Sequence, residues 1–146
     1  MIEPEQTLDF EQEKQKIYEN KAIRAATFFG GPLVAGYLIA ENFKAFHDPI
    51  NAKKAWLSSI FATALLFGIV FIVPHADKIP SVAFPLAYSF LAFYLVERYQ
   101  GKLIQEHLGS GGKSFKWWRA LLIGLAGAAI TFAVIFAIAL LIDLFR

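Results

Sequence analysis

Ala25-Ala26-Thr27-Phe28-Phe29-Gly30-Gly31-Pro32-Leu33-Val34-Ala35-Gly36-Tyr37-Leu38-Ile39-Ala40 runs for sixteen residues without a charged side chain. As one straight helix it is about 24 Å long, short of the ~30 Å hydrocarbon core of a bilayer. Glycine weakens a helix, and proline removes a backbone donor and clashes with the turn before it. A break at Gly30, Gly31 and Pro32 is therefore expected. Glu41, Asn42 and Lys44 close the segment. Two paths fit such a segment. It dips into a membrane and returns, or it borrows Ile23 and Phe43 for length and crosses.

The rest of the chain makes a membrane the right solvent to consider. Of 146 residues, 57 % are hydrophobic and 18 % charged, against about 45–50 % and about 25 % in a soluble domain. Three further stretches, 55–73, 79–96 and 120–142, are long enough to span. The short connection 74–78 makes the second and third of the four segments an antiparallel hairpin. Past Val96 the third helix is expected to continue into water through Glu97, Arg98, Lys102 and Glu106 and to stop at Gly109-Ser110-Gly111-Gly112. Ser114 is then a cap for the helix carrying Trp117 and Trp118. The expected fold is an all-α integral membrane bundle of three transmembrane helices plus the broken first segment at 25–43. Residues 1–22 form a polar tail, with a solvated surface helix over 8–24 capped by Asp9. The tail opens on Glu3, Glu5, Asp9, Glu11 and Glu13, which is no secretory signal.

Charge placement discriminates between the two paths of the first segment. Lysine and arginine prefer cytoplasmic flanks. If the segment crosses, the fourteen basic residues divide eight to six between the two sides, which is almost no bias. If it returns, twelve share one side: Lys14, Lys16, Lys21, Arg24, Lys44, Lys53, Lys54, Arg98, Lys102, Lys113, Lys116 and Arg119. Only Lys78 and Arg146 lie opposite. Trp56, Trp117 and Trp118 fall on the basic side too, where amphipathic rings anchor at headgroup level. The re-entrant path is therefore favoured. The basic loops are read as cytoplasmic, with the connection 74–79 and the C-terminus on the far side.

The run Phe29-Gly30-Gly31-Pro32-Leu33-Val34-Ala35-Gly36-Tyr37-Leu38-Ile39-Ala40-Glu41-Asn42-Phe43-Lys44 resembles a segment recurring in small uncharacterised bacterial multi-pass membrane proteins. The likeness covers roughly residues 22–54. It implies a bacterial inner-membrane location and supplies no activity.

No motif for chemistry survives inspection, and no catalytic, cofactor-binding or metal-ligating residue is assigned. Cysteine is absent, so disulfides and thiol chemistry are excluded. Ser110-Gly111-Gly112-Lys113-Ser114 imitates a phosphate loop. His107 stands where its first glycine belongs, and a helix precedes it instead of a strand. His47, His75 and His107 fall in loops or helix extensions, with only a loose grouping of Glu41, His47 and His107 on one side. Net charge of +2 points to no nucleic-acid partner.

The remaining signals concern packing. Ala55, Ser59 and Thr63 recur four apart, as do Ala120, Gly124 and Ala128. Ala129, Ala133 and Ala137 form a neighbouring stripe on the last helix. Small residues let helix backbones approach closely in lipid, where no hydrophobic force drives association. Ser58, Ser59, Thr63 and Thr131 are expected to hydrogen-bond between helices. The residues singled out for function or packing are Gly30, Gly31, Pro32, Gly36, Glu41, Asn42, Gly124 and Ala128. The expected role is a structural or accessory subunit. Its partners are the lipid bilayer and a second copy or another membrane protein. The alternative is a small transporter or channel, with the broken segment lining a cavity near Glu41.

Overall fold

The computed structural model of the chain describes residues 16–146. Four α-helices follow one another: α1 (Asn20–Ala45), α2 (Pro49–Ile72), α3 (Ala83–Gly109) and α4 (Trp117–Leu144). A short 3₁₀ turn, Ala76–Lys78, lies between α2 and α3. The described residues contain no strand beyond an isolated bridge between Ile17 and Ser114.

α1 is a helix only in name. At Gly31 the backbone takes φ 81° and ψ −175°, a region essentially reserved for glycine. Pro32 follows as the first residue of a new helical run. There its fixed φ suits the helix and its missing N–H would have had no partner anyway. Two limbs result, 20–30 and 32–45. They fold back on each other, because Tyr18 and Asn42 are hydrogen-bonded at 2.7 and 2.8 Å. Twenty-four residues of straight helix would hold them about 36 Å apart.

The doubled-back α1 is the centre of the molecule. α2, α3 and α4 each pack on it and hardly on one another. The first limb lies along α4, with Ala26 at Gly124, and along α3, where Tyr88 Oη donates to the Phe28 carbonyl at 3.3 Å. The second limb lies along α2, with Gly36 at Ser59 and Tyr37 edge-on to Trp56 at 6.0 Å. The core accordingly comes largely from α1: Ala22, Ile23, Ala26, Val34 and Leu38, with Val96, Ile104 and Ala120 from its neighbours. Beside the turn, Gly30 meets α4 near Gly124 and Gly127, about 10–15 Å along that helix from Trp117. Beyond this level the apolar faces of α2 and α4 are left largely uncovered by the described residues. Phe71, Ile72, Phe132 and Leu144 are each more than 70 % exposed.

α1, α2 and α4 are long and apolar enough to cross a membrane by length and hydropathy alone. This is a different trio from the expected one. The third apolar stretch, expected as a helix over 79–96, becomes helical only at Ala83, because the Pro80 carbonyl accepts the Ala83 N–H in a turn. Its apolar helical part is thus 83–96, and the polar extension to Gly109 forms as expected. The expected surface helix over 8–24 also changes. Its Asp9 cap and first half lie outside the described residues. Residues 16–19 are non-helical, and Ile17 and Tyr18 are buried. Ile17 exchanges backbone hydrogen bonds with the 113–115 loop, its N–H donating to Lys113 and its carbonyl accepting from Phe115. Ser114 does not cap α4. Lys116 holds that position, and Ser114 Oγ donates to Glu19 at 2.7 Å. Asp48 does cap α2. Its carboxylate accepts the Asn51 N–H at 3.0 Å. That bond and a second from the Asn51 side chain hold its pKa below the ordinary aspartate range, since both favour the charged form.

Candidate functional site

The clasp that closes α1 is the most organised polar group among the described residues. Asn42 and Gln100 are both fully buried. Asn42 Oδ1 accepts the Tyr18 N–H at 2.7 Å, while its Nδ2 donates to the Tyr18 carbonyl at 2.8 Å and to Gln100 Oε1 at 3.2 Å. Gln100 Nε2 in turn donates to the Ile39 carbonyl at 2.9 Å. A buried polar atom without a partner costs about 1–3 kcal/mol, and here each amide has its bonds. The clasp ties the residues before α1, the end of α1 and the middle of α3 into one unit. Tyr18 extends it toward α4. Its ring stacks on Phe115 at 4.6 Å, and its hydroxyl accepts from Arg119 Nε at 3.3 Å.

Chemically the clasp is a hydrogen-bonded hold. It offers amides, a phenol and an arginine, with no nucleophile–base pair. No group of three or more metal-ligating side chains occurs among the described residues. His107 Nε2 contacts the Lys113 carbonyl at 3.2 Å. Glu41 is half-buried and pairs with Lys44 at 2.8 Å, three residues on along the same helix.

The glycines singled out from the sequence converge at the turn and on the faces of α1. A Cβ at Gly30 would lie 2.7 Å from the Gly124 carbonyl oxygen, and one at Gly124 would lie 2.5 Å from the Ala26 carbonyl oxygen. A Cβ on Gly36 would overlap Ser59. The Ala120, Gly124 and Ala128 stripe therefore packs within this chain. Ala129, Ala133 and Ala137 remain exposed. Ser59, Thr63 and Thr131 do not bond between helices. Each hydroxyl donates to its own helix, to the carbonyls of Trp56, Ser59 and Gly127. In a helix that carbonyl, three or four residues back, is always within reach.

Tyr18 and Gln100 are the clasp members that reading the sequence does not single out. Tyr18 lies in a stretch that reads as a solvated helix. Gln100 lies in the polar extension of α3, although its neighbours four residues away, Val96 and Ile104, are both apolar. That flanking is the one signal of an inward face. Trp117 and Trp118 are largely exposed at the start of α4, and Trp56 is half-buried near the start of α2. No family model matches the chain, and neither the curated proteins nor the solved structures give a match.

Proposed function

We propose that this protein is a structural or accessory subunit of a bacterial inner membrane, built to present helices to a neighbour. In this reading α1 enters and leaves the bilayer from the cytoplasmic side. α2 and α4 cross as continuous helices, α3 crosses with its apolar helical part 83–96 extended by the apolar turn 79–82, and the connection 74–79 and Arg146 lie on the far side. The sharing of one end of the bundle by Tyr18 and Asn42 supports the re-entrant path. So does the twelve-to-two division of basic residues that follows from it, given the cytoplasmic preference of lysine and arginine.

The observation that carries the subunit role is the lack of contact between the long helices beyond Gly31. α2 buries only Ala52 and Ser59, and α4 only Ala120 and Gly124, all in the half of each helix that packs on α1, while α3 is packed along most of its length. The Ala129, Ala133 and Ala137 stripe lies in this unpartnered part of α4 and permits the close backbone approach that drives helix pairing in lipid. The neighbour is a second copy or another membrane protein. The test is disulfide or bis-maleimide cross-linking of an Ala133→Cys variant in native membranes, which is clean because the chain has no cysteine of its own. A discrete cross-linked band is expected from Ala133→Cys and not from Phe132→Cys on a different face. Absence of any product, together with a monomer and no co-purifying protein in mild detergent, would overturn the role.

A further inference from the structure

We propose that Arg24, with Lys21, holds the phosphate of an anionic phospholipid at the surface where the first limb of α1 packs against α3. Arg24 is exposed, and its guanidinium carbon lies 5.3 Å from the Phe90 ring centre and 5.4 Å from that of Phe93. Among the described residues it makes no ion pair and no hydrogen bond. Arg119, the other arginine set against an aromatic ring, does donate, to Tyr18. Glu97, the carboxylate that faces this limb from α3, is already engaged by Asn20 Nδ2 at 2.9 Å.

Depth makes the free guanidinium informative. Phe93 and Phe90 precede Glu97 by four and seven residues, about 6 and 10 Å along α3 toward its apolar end. Arg24 thus reaches below the level of the polar extension. A cation at such depth needs a partner, and a long arginine snorkels toward one at the interface. Its planar fork of N–H donors matches a phosphate oxygen pair, which a lysine ammonium does not. Lys21, one turn nearer the polar end on the same face, is exposed and outside any ion pair among the described residues. Arg24 over an aromatic floor, with a second cation one turn away, favours a headgroup of net negative charge, because a zwitterionic lipid would bring its ammonium against Lys21. Phe90, 56 % exposed, offers apolar surface on the side of the apolar end of α3, where the acyl chains would lie. This inference does not use the subunit role.

The test uses the full chain in nanodiscs with a diazirine-bearing phosphatidylglycerol, and the labelled peptides are mapped by mass spectrometry. Labelling is expected to concentrate on residues 20–28 and 90–94, and to exceed that by a matched phosphatidylcholine probe. Arg24→Gln should lower it about tenfold, the scale of one lost charge-assisted hydrogen bond. Arg24→Lys should lower it less, and Lys54→Gln should leave it unchanged. Equal labelling by the two probes, or unaltered labelling of Arg24→Gln, would overturn the proposal. So would concentration of label in the groove beside Lys44, Lys53 and Trp56. If Arg24→Gln does not fold, the wild-type map and the comparison of probes decide alone.

Discussion

Asn42 shows why one residue type is needed where α1 closes. Its side chain accepts the Tyr18 N–H and donates to the Tyr18 carbonyl at once. Only a primary amide offers both an acceptor and donors in this way, so one side chain makes a two-ended contact. Asn42→Ala removes both bonds and the donor to Gln100, leaving buried backbone groups unpaired. We expect a loss of about 3 kcal/mol, read as a lower thermal midpoint in detergent, while Gln105→Ala on the exposed side of α3 stays near wild type. An unchanged midpoint for Asn42→Ala would remove the clasp from the account. Asn42 is visible in the sequence as an amide at the edge of an apolar run. Its partners are not, because Tyr18 and Gln100 lie in charged surroundings, and their burial depends on contacts made dozens of residues away.

At the scale of the element, the break in α1 is local and therefore legible. Gly31 takes φ 81° with ψ −175°, which glycine alone tolerates, and Pro32 starts a helix without its N–H. The reversal of direction is not local. Glycine and proline permit a bend of any size, and only the distribution of lysine and arginine favours a full return. The start of α3 at Ala83 is similarly hidden, since Ile79 and Val82 are as apolar as the helix that follows. Packing of the second limb rests on Gly36, whose hydrogen keeps Ser59 and the Ala55 carbonyl close. Gly36→Leu should cost about 1–3 kcal/mol by overpacking. Gly68 lies on α2, and a Cβ there would meet no atom within 4 Å. Gly68→Leu should therefore change stability by less than about 0.5 kcal/mol. Equal effects in chemical unfolding would show that the limb does not depend on the Gly36 contact.

Across the whole molecule, the arrangement is three long helices held apart by a plug that reaches part of the way through them. The proposed re-entrant path requires protein to cover the non-helical backbone at membrane depth, and Gly30, next to the turn, lies against Gly124 and Gly127. The same plug leaves the remaining helix faces to lipid or to a neighbour. The side of the membrane taken by each end follows from the path of α1 alone. Single cysteines at Lys16, Lys54 and Arg146, labelled in sealed membrane vesicles with an impermeant maleimide, test that path directly. The account predicts that Lys16→Cys and Lys54→Cys react from the same side and Arg146→Cys from the opposite one. Reaction of Lys16→Cys and Lys54→Cys from opposite sides would contradict it.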